Sequence, residues 1–208
     1  MAVTGIIMIL YLIAHMIGNL HAFSGAKAYN DYALWLRTFG EPAFPYRTIL
    51  TAIEIILSLS VIAHMWAAFS LWYQAKRARP QGYVTRKPLQ QSYASRTMRW
   101  GGVIVLAFIV YHLLDLTAGT INLAPNKAEP FDRLVASFTN PWVTAFYVIS
   151  LVLLGMHLRH GMWSVWQTLG QSNKTRERSV NAVAVVLSTL LIAGFLVVPL
   201  AIAIGAVR

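Results

Sequence analysis

The sequence predicts an all-α membrane protein with five transmembrane helices. Of its 208 residues, 57% are hydrophobic and only 12% are charged, whereas roughly a quarter of residues are charged in a soluble domain. The mean hydropathy is +0.57. Five apolar segments reach about 20 residues, the length that a helix needs to cross a bilayer. We expect a single domain over 1–208, in which the first four segments form a four-helix bundle and the fifth packs outside it.

The predicted spans are separated by residues typical of turns. The first apolar run is longer than a signal-peptide core and lacks a small-residue cleavage site, so we expect it to be retained as a helix. The breaks carry Ser24-Gly25, Pro42, Pro45, Pro80, Pro88, Pro125, Pro130 and Gly170. The expected spans are 4–23, 48–73, 98–121, 141–166 and 180–207.

The basic residues indicate topology. The net charge of +10 does not point to nucleic acid, because the Lys and Arg residues fall between the apolar runs. The connections after the second and fourth spans hold seven and three of them, and the other two connections hold three and two. By the positive-inside rule, this asymmetry predicts a cytoplasmic N-terminus. The chain has no cysteine, which excludes disulfides and any iron-sulfur cluster ligated by this chain alone.

Each of the first four spans contains a histidine within its apolar run, and the fifth contains none. An ionisable side chain inside a bilayer is unfavourable and is therefore a candidate functional residue. With the predicted orientation, two of the four lie in the outer half of the membrane and two in the inner half. The outer pair is His15 and His112, and the inner pair is His64 and His157.

Two facing imidazoles at each depth suit haem. A porphyrin iron takes one ligand on each face, and neutral histidines supply both without adding charge to the lipid. Such ligation leaves no open position on the iron, so the haem carries electrons. A ligating ring also needs its second nitrogen held, and Ser60, at i−4 from His64, is within reach.

Other interpretations of the four histidines stay open at this point. They are also compatible with packing residues satisfied by hydrogen bonds, or with a proton relay in a channel or transporter. A relay would need several acidic partners, and the spans contain only Glu54 and Asp115. A structural zinc site fits less well, because zinc gathers its four ligands at one point.

These segments resemble a known family, the single-chain, five-helix, dihaem cytochrome b subunits of succinate dehydrogenases and fumarate reductases. The likeness extends over nearly the whole chain. It is carried by 15–19 and 26–30, by 54–64, and by His112 with Asp115 close behind. The most specific part is His-Leu-Arg-His-Gly-Met-Trp-Ser at 157–164. The family usually has a longer basic segment before its first helix, which is nearly absent here.

The resemblance implies two b haems, an outer one on His15 and His112 and an inner one on His64 and His157. It also implies two partner subunits of respiratory complex II, a flavoprotein that oxidises succinate and an iron-sulfur protein that docks on the cytoplasmic face. This multi-pass chain would anchor both in the cytoplasmic membrane and exchange electrons with a membrane quinone, expected to be menaquinone. Whether whole complexes form oligomers stays open. Rival functions are a dihaem cytochrome b with another electron donor and a haem-free proton channel.

Five further residues are candidates for the site. Arg159, His160 and His21 lie near the predicted membrane faces, where they would contact haem propionates. Glu54 and Asp115 are carboxyl groups within spans, where they would suit proton exchange with quinone. The alternatives are interfacial polar residues for the first three and hydrogen-bonded helix contacts for the two acids.

Overall fold

The computed structural model of the chain describes residues 1–78, 93–170 and 174–208, and this part consists of helices and the turns that join them. Five helical segments are long and apolar enough to cross a bilayer, which confirms the predicted all-α membrane fold. The helices are α1 Ala2–Asn19, α2 Ala26–Thr38, α3 Thr48–Arg77, α4 Tyr93–His112, α5 Pro130–Thr139, α6 Pro141–Thr168 and α7 Lys174–Ala203. A 3-10 turn, Leu20–Ser24, extends α1, and a π-helical turn, Leu113–Thr117, extends α4.

The span boundaries differ from the expected ones by up to about two turns. The third span was expected to run to 121, but α4 ends at His112 and its π-helical extension at Thr117. The second span continues to Arg77, and α7 begins at Lys174, six residues before the predicted start at 180. The basic residues Arg79, Arg86 and Lys87, with Pro80 and Pro88, lie outside the described residues.

Two short helices in the connections were not predicted. α2 and α5 contact each other, and together with the turn Leu20–Ser24 they form a unit that we call the cap. Asn30 joins them, because its Oδ1 accepts from the Phe131 backbone N–H at 3.0 Å and its amide donates to Glu129. Tyr29 packs edge-on against Phe131, and burial raises the pKa of its phenol to about 12. The cap closes one end of the helix bundle.

A single residue joins the cap to α6. Asn140 separates α5 from α6, and its side chain accepts from the backbone N–H groups of Trp142 and Val143 at 3.0 and 3.4 Å. This N-cap precedes Pro141, a residue favoured at the first position of a helix. The Thr144 hydroxyl donates back to the Phe138 carbonyl at 2.9 Å. The corner between the two helices is therefore tied from both sides.

The fifth span packs more deeply than expected for a peripheral helix. α7 lies against α6 and α1. In the most apolar stretch of α7, 44% of the residues are buried, compared with 6% for the corresponding stretches of α1 and α3. A Cβ atom added at Gly155 would lie 2.8 Å from Ile192, and one at Gly194 would lie 2.6 Å from Met16. These two glycines let the backbones approach closely. α7 thus lies beside the histidine-bearing helices, in close contact with two of them.

Candidate functional site: two histidine pairs

The first pair of histidines lies next to the cap, and we call it the cap pair. The ring centroids of His15 on α1 and His112 on α4 are 5.8 Å apart, with an angle of 81° between the ring planes. Tyr11 stacks on His15 at 5.3 Å and Phe195 of α7 contacts it at 5.7 Å. Both histidines are therefore surrounded by aromatic rings inside the helix bundle.

The second pair, which we call the far pair, joins the other two histidine-bearing spans. The centroids of His64 on α3 and His157 on α6 are 6.3 Å apart, at an interplanar angle of 59°. Two glycines face these rings. A Cβ added at Gly102 would lie 3.5 Å from His157 Cε1, and one at Gly5 would lie 3.9 Å from His64 Cε1. The backbones of α4 and α1 thus approach the far pair closely.

The two pairs lie at different heights in the bundle. Thr4 contacts His64, and His15 follows it by 11 residues on α1, which is about 16 Å at the helical rise of about 1.5 Å. On α6, Tyr147 contacts His112 and precedes His157 by ten residues, about 15 Å. Two helices therefore give the same separation. The structure brings together the same partners that the depth of the histidines predicted.

A hydroxyl group meets the Nδ1 atom of one histidine in each pair. Thr4 Oγ1 lies 3.1 Å from His64 Nδ1 and donates its own proton to the Met1 carbonyl at 2.9 Å. Tyr147 Oη lies 3.5 Å from His112 Nδ1 and donates to Asp115 at 2.9 Å. Since each hydroxyl proton is used elsewhere, each oxygen accepts from Nδ1–H. The lone pair of the neutral ring is then on Nε2, free to bind a metal.

The predicted hydrogen-bond partner of His64, Ser60, was wrong. Ser60, one turn earlier on α3, is buried, but the hydroxyl that reaches the ring comes from Thr4 of another helix. The Nδ1 atom of His157 is buried and has no hydrogen-bond partner among the described residues. Each pair thus has one hydroxyl in contact with a ring nitrogen, and the far pair also contains a buried ring nitrogen without a partner among the described residues.

Both pairs fit a haem iron. An imidazole nitrogen lies about 2 Å from a bound transition metal and the ring centre about 1 Å farther, so two rings on opposite sides have centroids about 6 Å apart. The observed distances are 5.8 and 6.3 Å. The described residues contain no cluster of three or more metal-ligating groups. Two protein ligands for each metal match haem, whose macrocycle supplies the other four.

The structure separates the two predicted acidic residues. Asp115 is 2% exposed and its carboxylate accepts hydrogen bonds from Asn122, Ser137 and Tyr147. Glu54 is exposed on the second turn of α3, where Arg47 pairs with it at 3.1 Å. Asp115 therefore belongs to the surroundings of the cap pair, whereas Glu54 belongs to a separate ion pair.

The three candidates for propionate contacts have different surroundings. His21 stacks on Tyr32 at 4.4 Å, and its Nδ1 lies 3.1 Å from the Gly18 carbonyl. His160 follows His157 by almost one turn and packs beside Trp163 at 5.8 Å. Arg159 is exposed and, two residues after His157, points about 200° away around α6. The structure does not bring Arg159 to the far pair.

Sequence reasoning missed Tyr147 and Thr4, the residues whose hydroxyls meet the histidines. Both are polar residues within apolar runs, which is a usable signal. Tyr147 also lies three residues before Ser150 and seven before Leu154, on one buried face of α6. Their partners cannot be read from the sequence, because the contacts join residues 60 and 35 positions apart.

The chain matches the sequence profile of the succinate dehydrogenase/fumarate reductase transmembrane subunit family over residues 75–196. This range covers more than half of the chain and includes His112 and His157. The chain belongs to this family. It is therefore a multi-pass membrane subunit of the succinate dehydrogenase/fumarate reductase complex.

A curated relative in this family is the succinate dehydrogenase cytochrome b558 subunit of Bacillus subtilis (strain 168). It is 26% identical to the chain over 174 residues, which cover 83% of this chain and 78% of the relative. That alignment is longer than the match to the transmembrane subunit family profile. No solved structure is significantly similar to the chain.

Proposed function

We propose that this chain is the membrane-anchor cytochrome b subunit of its complex and carries electrons between the iron-sulfur subunit and a membrane quinone through two b haems. The observation that carries the proposal is the presence of two histidine pairs about 15 Å apart in height, each with a centroid separation that suits one iron. The name of the Bacillus relative, a cytochrome b558 subunit, supports the same assignment.

The four imidazoles have distinct roles in this proposal. His15 and His112 hold one haem, and His64 and His157 hold the other. When bound between two histidines, haem would supply one-electron transfer and no site for substrate. Neutral imidazoles add no net charge to the apolar interior. The hydroxyls of Tyr147 and Thr4 keep Nε2 of His112 and of His64 available.

The electron path joins a reaction on partner subunits to a reaction with quinone in the membrane. Succinate is oxidised on a flavoprotein subunit, and an iron-sulfur subunit docks on the cytoplasmic face. The charge asymmetry supports placing the N-terminus on that face. The quinone, menaquinone in this proposal, takes or gives electrons at the membrane. Glu54, exposed and paired with Arg47, is the better placed of the two acids for proton exchange with quinone, because Asp115 is buried by its own partners.

The test is a haem count on the complex purified with its partner subunits. A pyridine haemochrome assay with a reduced-minus-oxidised spectrum should give two b haems for each copy of this chain. The flavoprotein and iron-sulfur subunits should copurify. Absence of an α-band would favour the proton-channel alternative, and two haems without those subunits would favour a cytochrome b with another electron donor. Either result would overturn the proposal.

A further inference from the structure

A buried carboxylate lies beside the cap pair and is fully engaged by neighbouring side chains. Asp115 accepts from Asn122 Nδ2 at 2.7 Å, from Ser137 Oγ at 2.9 Å and from Tyr147 Oη at 2.9 Å. The three donors come from the loop after α4, from α5 and from α6. A buried carboxylate is retained only where such hydrogen bonds replace water. Asp115 is therefore built into this junction.

The π-helical turn places this carboxylate close to His112. The turn Leu113–Thr117 directly follows His112, and the Ala118 N–H donates to the Leu113 carbonyl five residues earlier, at 2.7 Å. Such wide turns are rare and are frequent at functional sites. Asp115, in the middle of the turn, lies three residues after the histidine. Through this widened turn, the carboxylate of Asp115 and the imidazole of His112 both contact the phenol of Tyr147.

Tyr147 connects the two groups and has little freedom to move. Its ring is 3% exposed and lies edge-on between Phe138, at 4.8 Å, and Phe108, at 5.2 Å. Packing fixes the hydroxyl oxygen 2.9 Å from Asp115 and 3.5 Å from His112 Nδ1. The phenol has one proton to donate, and the carboxylate takes it. Only its lone pair then faces the imidazole.

The direction of this chain of hydrogen bonds decides which nitrogen of His112 can bind iron. A phenol without Asp115 could donate to Nδ1, which would leave the ring proton on Nε2 and block ligation. With Asp115 as acceptor, the phenol oxygen accepts from Nδ1–H, and Nε2 is free. A hydrogen bond of this kind also makes the ligating imidazole more basic. A more basic ligand favours ferric over ferrous iron.

We infer that Tyr147 and Asp115 are positioning residues that set the tautomer of His112 and lower the midpoint potential of the haem bound by the cap pair. This inference rests on the proposed function, because it requires a haem at that pair. It gives Asp115 a role different from proton exchange with quinone. The far pair has no buried carboxylate among the contacts of its two rings that the structure describes, so the effect is confined to one haem.

The test compares three variants of the purified complex. Tyr147→Phe keeps the packed ring and removes the hydroxyl, and Asp115→Asn keeps the shape and removes the carboxylate. Tyr111→Phe is the matched control, because Tyr111 belongs to the same aromatic cluster but its hydroxyl takes no part in the hydrogen bonds described above. Haem content and both midpoint potentials are measured by redox titration of the absorbance difference spectrum.

We expect Tyr147→Phe to retain two haems and to raise the midpoint potential of the cap-pair haem alone. A tenfold loss of preference for ferric iron would correspond to about 59 mV for this one-electron couple. Asp115→Asn should shift the same potential in the same direction by less, since an amide oxygen still accepts from the phenol. Tyr111→Phe should leave both potentials unchanged. If Tyr147→Phe fails to hold the cap-pair haem, Asp115→Asn supplies the same measurement.

The outcomes separate this inference from the proposed function. Two haems with unchanged potentials in both variants would overturn the inference and leave the proposed function intact. Equal shifts of both potentials, or loss of both haems, would indicate a general packing role and would also overturn it. Absence of haem from the wild-type complex would instead remove the proposed function, and the inference with it.

Discussion

The two histidine pairs differ in how firmly the rest of the chain holds their rings. At the cap pair, His112 meets a phenol that is itself bound to a buried carboxylate, and aromatic side chains pack around the rings. At the far pair, one threonine hydroxyl meets His64, and His157 Nδ1 has no partner in the described part of the chain. The same ligand chemistry is therefore supported by a packed network of side chains at one height and mainly by the first turn of α1 at the other.

The difference follows from where the chain places its connecting segments. The cap brings α5 against the π-helical turn, so Ser137 and Asn122 can reach Asp115. The far pair relies on the first turn of α1, since Thr4 is the third residue of that helix. Side chains at a helix terminus are held less firmly than those in a packed core. The cap pair should tolerate fewer substitutions in its surroundings than the far pair.

The largest expected effect is loss of one haem when a ligand of either pair is removed. His112→Ala should leave only the far-pair haem, and His157→Ala only the cap-pair haem, because one imidazole does not replace two axial ligands. The pyridine haemochrome count should fall from two to one per chain in each variant. His160→Ala, a nearby histidine outside the pairs, should keep both haems. Two haems in His112→Ala would contradict the assignment.

Removal of the Asp115 carboxylate should destabilise the protein strongly. Asp115→Ala leaves the buried hydroxyls of Ser137 and Tyr147 without their present acceptor, at about 1–3 kcal/mol for each unsatisfied group, or roughly 2–6 kcal/mol in total. The midpoint of thermal unfolding in detergent should therefore drop clearly. A midpoint equal to that of the wild type would show that the network contributes little to folding.

The corresponding change at the far pair should have a smaller effect. Thr4→Val keeps the shape of the side chain and removes the hydrogen bonds of its hydroxyl to the Met1 carbonyl and to His64 Nδ1. Each contributes about 1 kcal/mol or less. We expect little change in the thermal midpoint and a small rise in the potential of the far-pair haem alone. A stability loss as large as that of Asp115→Ala would remove the contrast between the pairs.

The smallest effect on either pair is expected from Glu54→Gln. The ion pair with Arg47 is half-exposed, and such pairs contribute about 1 kcal/mol or less. Haem content and both potentials should stay at wild-type values. A selective fall in the rate of quinone reduction, measured alongside them, would support the proton role proposed for Glu54, and an unchanged rate would contradict it.

The sequence was sufficient for the spans and for the partners within each pair. A run of about 20 apolar residues has one stable arrangement in a bilayer. Successive spans run in opposite directions, because each connection lies on one face of the membrane. The depth of each histidine then follows from its position in the run. Which face of the membrane the N-terminus occupies stays a prediction, as does the role of the four histidines.

The surroundings of the pairs could not be predicted in the same way. The cap helices are short and lie in polar connections, where periodicity is weak, and their stability comes from contacts such as Asn30 with Phe131. The link from Asp115 to Tyr147 spans 32 residues, and nothing local specifies it. Ser60 was chosen as the partner of His64 for its local spacing, and a longer-range contact with Thr4 replaced it. The fifth span was expected to be peripheral because it has no histidine. The close contacts at Gly155 and Gly194 explain why α7 packs more deeply than that.

The one-residue joint at Asn140 couples two parts of the molecule mechanically. Ser137 lies just before this joint and Tyr147 two turns after it, and the Thr144 hydroxyl ties the corner back to α5. A substitution that tilts α5 would therefore shift both donors of Asp115 together, and with them the phenol that contacts His112.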